Sequence, residues 1–220
     1  MEVEMKAKIT FDQINKLTHD NFDKYYIPDW GEWEPLLKTD TFYSFNGERP
    51  IKPKNIVRIR KEFSRIKYVD FEELIKGKVG KEKFNRIEVF LTVKEKHTDD
   101  EGIETNQEIE GTLDSGAVEA FTKVMEITNF KPYFEKEKSS LSFYVIRNKD
   151  KKKMHCEIVS VNGVGPFLEI EVIVPDNISV PEDCESTQEA QELIKGFFKD
   201  VFNITEFDKR TWPQIIEDGN

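Results

Sequence analysis

Glu2-Val3-Glu4-Met5-Lys6, the stretch near the start of the chain, alternates charged and apolar side chains residue by residue. In a β-strand, residues two apart point to the same face at a spacing of roughly 6.6 Å. One face of this strand therefore carries two carboxylates and an ammonium, while Val3 and Met5 point the other way. The apolar face is expected to pack on a protein core, and the charged face needs water, partners or a ligand.

The same alternation recurs in later segments. The like-directed residues are Arg58, Arg60 and Glu62; Thr92, Lys94 and Lys96; Asn106, Glu108 and Glu110; Glu169 and Glu171; and, within a run of mixed charge, Lys136 and Lys138. A sheet with one solvated face is the simpler interpretation of any single strand. Some strands, however, offer paired acids and others paired bases, so the set taken together favours a shared site.

A closed sheet would bring these charges around one cavity, where they require partners or ligands. Mg²⁺ and Mn²⁺ take hard carboxylate oxygens and complete their shells with water and substrate phosphates. Arginine and lysine neutralise the remaining phosphate oxygens. The pattern therefore predicts a metal-bound triphosphate as the ligand.

Composition limits the other possibilities. The chain has 220 residues, 37% of them hydrophobic, and a net charge of −10, which argues against bulk nucleic-acid binding. We find no apolar run long enough to cross a bilayer and no signal-peptide pattern, so no membrane association and a cytoplasmic location are expected. Cys156 and Cys184 are too few for a disulfide framework or a thiolate zinc site. His19, His97 and His155 are scattered singly and are interpreted as surface groups, so a histidine-centred mechanism is not expected.

The pattern predicts mostly strands with a few helices. The predicted strands cover residues 1–9, Thr39–Phe45, Asn55–Phe63, Ile87–Lys96, Thr105–Thr112, Tyr133–Arg147, Lys153–Val161 and Phe167–Val174. The predicted helices follow a capping box at Thr10 and Gln13, cover Gly116–Asn129, and follow a capping box at Ser186 and Glu189. The segment His19–Leu37, with Trp30 and Trp33, is predicted to be a loop over one opening of the fold.

With these segments in place, the chain resembles the CYTH, or triphosphate tunnel metalloenzyme, superfamily. The motifs that carry the resemblance are Glu2-x-Glu4-x-Lys6, Arg58-x-Arg60, Lys94-x-Lys96 and Gly163-Val-Gly-Pro-Phe-Leu-Glu-Ile-Glu171. Their order and approximate spacing match across almost the whole chain. The resemblance implies an α+β fold, an eight-stranded antiparallel β-barrel with flanking helices that forms a tunnel, with residues 1–220 as a single domain.

The resemblance also implies the site. A triphosphate would lie along the tunnel with Mg²⁺ or Mn²⁺, and Glu2, Glu4, Lys6, Glu169 and Glu171 would be the catalytic residues. The metal would be held by Glu2, Glu4, Glu169 and Glu171, with Glu110 and Glu157 as further candidates. The phosphates would be held by Lys6, Arg58, Arg60, Lys94, Lys96, Lys136 and Lys138.

The chain departs from the family pattern at several positions. Asn106 stands where relatives often carry an arginine, which removes one cation from the expected phosphate site. Val159 stands where many relatives carry an aspartate, and Glu157, on the same face of the strand, is the candidate substitute. The usual Lys-x-Arg is Lys136-x-Lys138, which lacks the bidentate fork of arginine. Arg147 is also a candidate phosphate ligand, but it has the opposite strand parity and would need a bulge to reach the site.

Membership of the family leaves the reaction open. Attack of water on the terminal phosphorus gives a triphosphatase, and we favour this reaction because it needs only the bound triphosphate and an activated water. Attack of a ribose hydroxyl on the α-phosphorus gives a class IV adenylate cyclase, which makes cyclic AMP and pyrophosphate from ATP. A non-catalytic module that binds nucleotide or polyphosphate is a third possibility. The substrate could be ATP, tripolyphosphate or a similar compound, an RNA 5′ end could still enter a basic tunnel, and the oligomeric state is not readable.

Overall fold

The computed structural model describes residues 1–19, 26–50, 55–66, 68–98, 104–175 and 183–219, without the side chains of residues 18, 19, 28–32, 96, 98 and 104. Its strands are β1 (Glu2–Lys8), β2 (Tyr26–Phe45), β3 (Asn55–Ser64), β4 (Arg86–Thr98), β5 (Glu104–Thr112), β6 (Phe130–Arg147), β7 (Lys153–Val161) and β8 (Val164–Ile173). Its helices are α1 (Phe11–His19), α2 (Phe71–Ile75), α3 (Ser115–Ile127), α4 (Thr187–Phe202) and α5 (Trp212–Gly219), with a short 3-10 helix at Lys81–Lys83.

The eight strands form a closed antiparallel barrel in the order β1-β5-β4-β3-β2-β6-β7-β8. β1 closes the barrel, because Glu4 pairs with Glu171 of β8 on one side and with Glu104 of β5 on the other. Closure leaves no unpaired sheet edge. The predicted eight-stranded barrel with flanking helices is confirmed.

The main apolar core lies outside the barrel wall, beneath α1 and α4. Val3 and Met5 are buried there together with Leu17 of α1 and Leu193 and Phe197 of α4. Because these apolar residues of β1 point outwards to the helices, the charged residues that alternate with them point into the barrel.

β2 corrects the prediction for residues 19–37. The strand begins at Tyr26, well before the predicted start at Thr39, and pairs with β6 over nearly its whole length. A register shift between Asp29 and Glu34 accommodates the irregular part of the strand. The predicted loop is wrong from residue 26 onwards because prolines and a glycine mask the strand pattern there. Residues 20–25 lie outside the described residues.

Trp33 packs on the outer core and not at the tunnel. Its ring stacks on that of Phe143, with centroids 4.4 Å apart and an interplanar angle of 5°. Phe143 is itself fully buried. Trp33 therefore contributes to packing of the outer core, and the side chain of Trp30 lies outside the described part of the chain.

The predicted helix starts are confirmed. The Thr10 amide donates to Oε1 of Gln13 at 2.8 Å, and the Gln13 amide donates to Oγ1 of Thr10 at 3.2 Å, which is a reciprocal capping box. Oγ of Ser186 accepts from the Glu189 amide at 3.2 Å, although the Glu189 carboxylate accepts from Glu185 and not from Ser186. Helices α2 and α5 and the 3-10 helix were not predicted. Within the described ranges, no helix is long and apolar enough to cross a lipid bilayer.

A tight turn between β7 and β8 sets the register of the predicted Gly-rich motif. Asn162 and Gly163 have φ values of 49° and 79°, which is the left-handed region that a two-residue hairpin turn needs. Gly165 then passes so close to β7 that an added Cβ would lie 2.9 Å from the Val159 carbonyl oxygen. The turn brings Glu169 directly opposite Glu157.

Candidate active site

The charged residues of the alternating strands meet inside the barrel. Several ion pairs join strands that are not neighbours in the sheet, for example Lys94 of β4 with Glu2 of β1, and Lys138 of β6 with Glu169 of β8. Side chains can bridge over an intervening strand in this way on the concave face of a barrel. The interior is therefore a tunnel lined with charges of both signs.

One group of interior charges surrounds Lys94. Its Nζ lies 2.8 Å from Oε1 of Glu2, 3.8 Å from Oε2 of Glu4 and 3.3 Å from Oε2 of Glu108. Burial by itself would lower the pKa of Lys94, but Glu4 and Glu2 outweigh it and raise that pKa. Burial, and then repulsion from Glu171, raise the pKa of Glu2. Two carboxylates that repel each other in a partly buried place favour a cation between them.

A second group lies deeper and surrounds Lys138. Its Nζ lies 2.5 Å from Oε2 of Glu169 and also donates to Glu157, whose other oxygen accepts from Nζ of Lys38 at 2.5 Å. These four residues are nearly inaccessible to solvent. Burial alone would raise the pKa of Glu157, but Lys138 and Lys38 outweigh it and hold that pKa well below its usual range. Lys138 likewise lowers the pKa of Glu169 against the effect of burial.

A third group is centred on Asp40, which is fully buried. Arg60 binds this carboxylate with two hydrogen bonds, Nε to Oδ1 at 2.7 Å and Nη2 to Oδ2 at 3.1 Å, and Nζ of Lys136 lies 3.2 Å from Oδ2. Burial alone would raise the pKa of Asp40, but Arg60 and Lys136 outweigh it and hold the pKa well below its usual range. Burial lowers the pKa of Lys136 to about 8, because Asp40 does not fully offset the loss of hydration.

Arg58 connects this group to the carboxylates of β5. Its Nη2 donates to Oγ1 of Thr92 at 3.0 Å and lies 3.5 Å from both Glu108 and Glu110, while Nη1 lies 3.6 Å from Asp40. Burial, followed by repulsion from Arg60, lowers its pKa. Nε of Arg58 is buried and has no hydrogen-bond partner among the residues that the structure describes. A buried guanidinium donor with no acceptor suits an anionic ligand.

The structure brings most of the predicted residues together. Those that line the tunnel are Glu2, Glu4, Lys6, Arg58, Arg60, Lys94, Glu110, Lys136, Lys138, Glu157, Glu169 and Glu171. Glu110 lies closer to solvent than Glu157 or Glu169. The side chain of Lys96 is outside the described part of the structure.

Arg147 does not join this set. It binds Asp150 in the β6–β7 hairpin, with Nε 2.9 Å from Oδ1, and pairs in register with Tyr26, whose hydroxyl donates to Asp200 of α4. The register shifts of β2 against β6 lie elsewhere, so no bulge turns Arg147 inwards. Its side chain therefore faces the helix-covered side, and we do not count it among the phosphate ligands.

Two departures from the family pattern have visible consequences. Nδ2 of Asn106 donates to Oε1 of Glu2 at 3.2 Å, and its Oδ1 is buried with no hydrogen-bond partner among the described side chains. Val159 is fully buried against Phe167 and Ile215 and takes no part in the charged groups. Glu157 does take part, through its ion pairs with Lys38 and Lys138, and its substitution for the missing acid at 159 stays a prediction.

His155 is a tunnel residue that the sequence analysis missed. Its Nε2 lies 2.7 Å from Oγ of Ser142, and its Nδ1 lies 3.8 Å from Oε2 of Glu171, its direct cross-strand neighbour. The interpretation of His155 as a scattered surface group is therefore wrong. The signal that could have found it is parity, because His155 and Glu157 point to the same face of β7. Lys38 was missed because the predicted second strand began one residue after it, at Thr39, whereas Asp40 lies inside the predicted strand but was not identified as a site residue.

The interior fits a divalent metal in its chemistry, although the described residues contain no three His, Cys, Asp or Glu side chains that already converge as a metal site. Glu2 and Glu171 supply hard oxygens and repel each other, which a cation would relieve. Oδ1 of Asn106 is an acceptor that a metal-bound water could satisfy. Glu157 and Glu169 are less available, because both already bind Lys138.

Comparisons with known proteins agree with this geometry. The sequence profile of the CYTH domain matches residues 1–200. A search of the curated proteins finds no match. The solved structures that share the fold include the following three, each with low sequence identity to this chain.

A protein from Pyrococcus horikoshii has a TM-score of 0.67 and 19% identity, and the alignment covers 100% of both chains. A candidate adenylyl cyclase from Hippeastrum, described as having a dominant triphosphatase activity, has a TM-score of 0.57 and 13% identity over 100% of this chain and 97% of that chain. A candidate adenylate cyclase from Vibrio parahaemolyticus has a TM-score of 0.60 and 10% identity over 98% of this chain and 97% of that chain. Because the profile match spans most of the sequence and the barrel encloses the expected charged tunnel, the chain belongs to the CYTH family.

Proposed function

We propose that this protein is a divalent-metal-dependent triphosphatase that binds a triphosphate inside the tunnel and hydrolyses it. The observation that carries the proposal is the buried cluster of guanidinium and ammonium groups, in which Nε of Arg58 has no acceptor within the described part of the chain. The likeness to the Hippeastrum protein supports hydrolysis as the reaction to test first.

Charge balance supports the need for a metal. The carboxylates that line the described tunnel are at least as numerous as the cations, and many of the cations are already paired with them. A polyphosphate brought into this interior alone would face unscreened carboxylates at short range. Glu2, Glu4 and Glu171 would hold a divalent cation, which would supply charge screening and Lewis-acid activation when bound.

Each residue has a distinct part in the proposed mechanism. Arg58, Arg60 and Lys136 would turn from Asp40 to the phosphate oxygens and neutralise charge as it develops on the leaving group. Lys94 would do the same near Glu2 and Glu4, which would hold the metal together with Glu171. Lys138 would keep Glu157 and Glu169 ionised and in place.

The test is turnover followed by phosphorus NMR. Purified protein is incubated with tripolyphosphate, ATP, GTP or thiamine triphosphate and with Mg²⁺ or Mn²⁺, beside Glu4→Gln and the control Glu119→Gln, which removes an exposed carboxylate of α3. We expect orthophosphate and a diphosphate from the wild type and the control, and none from Glu4→Gln although it folds. Pyrophosphate with cyclic nucleotide would instead show a cyclase, and binding without turnover would show a binding module. Unchanged activity in folded Glu4→Gln would remove that residue from the mechanism.

A further inference from the structure

The inward residues of β6 change in character along the tunnel. In chain order they are Lys136, Lys138, Ser140, Ser142, Tyr144 and Ile146. Phe143 and Val145, which alternate with them, are fully buried in the outer core, and this fixes the assignment of faces. The lining of β6 therefore passes from ammonium groups through hydroxyls to an aromatic ring and an aliphatic side chain.

The neighbouring strands change in the same direction. On β8 the buried Glu169 is followed on the inner face by the partly exposed Glu171 and then by Ile173, which is 57% exposed. On β2, Ile27 pairs in register with Ile146 and is 43% exposed. Three isoleucines from three strands thus lie on the inner face beyond the carboxylates. Large apolar side chains left exposed beside a polar site indicate a surface that an apolar group covers.

Tyr144 lies where the charged lining gives way to the apolar one. It pairs in register with His155 of β7, and the centroids of the two rings are 5.1 Å apart with an interplanar angle of 45°. Nζ of Lys153 lies 3.7 Å from the centroid of the Tyr144 ring. The position of His155 is fixed by Ser142, whose Oγ lies 2.7 Å from Nε2 of the imidazole. The phenol ring is half-buried, so part of its surface is open to the tunnel.

These residues form one surface at the tunnel opening, which we call the mouth cluster: Ile27, Tyr144, Ile146, His155 and Ile173. From Lys138 to Tyr144 is about 20 Å along β6, or about 15 Å along the axis of a barrel with tilted strands. A bare phosphate chain offers nothing that an aromatic or aliphatic side chain contacts favourably, whereas a ring attached to the chain does. The change of lining therefore suits a ligand that is charged in one part and aromatic in the other.

We propose that the mouth cluster binds the organic group of the substrate by stacking on Tyr144, and that this group is a neutral aromatic ring such as a nucleobase. A flat ring can lie against the phenol and cover the isoleucines beside it. A cationic ring, such as the thiazolium of thiamine triphosphate, would meet the like charge of Lys153. The inference rests on the proposed function, because it names the substrate class of the same tunnel.

Matched nucleotide analogues test the stacking. One ligand is β,γ-imido-ATP, in which nitrogen replaces the oxygen between the last two phosphates and blocks hydrolysis there. The other is its abasic counterpart, which keeps the ribose and the phosphates. Affinities for the whole chain are measured by calorimetry with Mg²⁺. We expect the wild type to bind the analogue with adenine about 5- to 150-fold more tightly, as base stacking on an aromatic side chain predicts. Tyr144→Ala should lose most of this difference, and Tyr144→Phe should retain it.

A charged base tests the preference for a neutral ring. The ligand is the 1-methyladenine derivative of β,γ-imido-ATP, whose ring carries a positive charge at pH 7. We expect the wild type to bind it about fivefold less tightly than the unmethylated analogue, because a ring on Tyr144 lies close to the Lys153 ammonium. Lys153→Met should reduce the difference. Equal affinity of the wild type for the two nucleotides would overturn the preference for a neutral ring.

The matched control is Tyr68→Ala, which removes a tyrosine that is 85% exposed between β3 and α2, and it is expected to behave as the wild type. Equal wild-type affinities for the adenine and abasic analogues would overturn the inference. So would a preference for adenine that persists in folded Tyr144→Ala, or in Tyr144→Leu if the alanine variant does not fold by circular dichroism. If the wild type binds neither analogue nor tripolyphosphate, the proposed function is rejected instead, so the two failures are distinguishable.

Discussion

Lys138→Met is the change that most directly tests whether buried ion pairs hold the tunnel together. Nζ of Lys138 binds both Glu157 and Glu169, and these three side chains are each less than 10% exposed. Removing one partner of a buried pair costs about 3–5 kcal/mol, because it leaves an uncompensated charge. In the variant Glu157 still accepts from Nζ of Lys38, and Glu169 still accepts from the indole of Trp212. We therefore expect a loss of stability at the lower end of this range, about 3 kcal/mol.

The assay is unfolding in urea, supported by thermal denaturation, where this loss corresponds to roughly 6–12 °C for a chain of this size. The matched control is Lys123→Met, which removes an exposed pair with Glu126 on α3 and is expected to cost less than about 1 kcal/mol. Both proteins are compared with the wild type under the same conditions.

The loss of stability in Lys138→Met should change with pH in a defined direction. In the wild type the pKa values of Glu157 and Glu169 lie below the ordinary value of 4.5, so their pairing stabilises the fold above that pH and is lost as the pH falls through the lowered values. In Lys138→Met the unpaired carboxylates are relieved by protonation. The difference between variant and wild type should therefore shrink on acidification below about 4.5. A loss no larger than that of the control at pH 7, or one that does not change with acidification, would refute the reasoning.

Three further outcomes are expected. Arg58→Ala should weaken tripolyphosphate binding about 10- to 150-fold in calorimetry, because a charged hydrogen bond contributes about 1.5–3 kcal/mol, and an unaltered dissociation constant would reject its phosphate role. His155→Ala should raise the Mn²⁺ concentration needed for binding and for activity about tenfold or more, with partial rescue in His155→Asn, if the ring, whose Nδ1 lies 3.8 Å from Oε2 of Glu171, helps to position that carboxylate. Equal Mn²⁺ titrations would contradict this role. In the free enzyme Lys136 loses its proton near its pKa of about 8, so kcat/KM should fall as the pH rises through that value. Lys136→Arg should lack this fall. If the variant and the wild type have the same pH profile, the fall belongs to another group.

The parity of charged residues was the part of the site that sequence could predict well. Glu2 and Glu4 alternate with Val3 and Met5, and a period of two permits only one assignment of faces once the apolar face is buried. The same argument placed Glu169 and Glu171 in the tunnel. It failed for β2, because the irregular stretch around Asp29 and Glu34 interrupts the alternation of inward and outward residues. Lys38 was therefore not identified as an inward residue.

The pairing of the charges could not be predicted, because it depends on how the barrel closes. Lys138 binds Glu169 across an intervening strand, and Trp212 binds the same carboxylate from 43 residues away in the chain. Such contacts follow from the stagger of the closed sheet and from the path of the C-terminal segment, neither of which leaves a local signal. For His155, parity with Glu157 could have indicated the inward face, but its contacts with Ser142 and Glu171 depend on the closed barrel and could not be predicted.

The balance of positive and negative charges inside the tunnel explains why it can fold and still bind a highly charged ligand. Each buried carboxylate described here offers the cations a temporary acceptor, so the protein does not bury them unpaired before the ligand arrives. Binding would then exchange one set of ion pairs for another instead of creating charge pairs from water. Asp40 is central to this exchange, because it is fully buried and shared by Arg60, Lys136 and Arg58. Asp40 therefore stabilises the empty tunnel and also competes with the phosphate for the same cations. Removing this carboxylate should lower the free energy of unfolding and raise the affinity for phosphate.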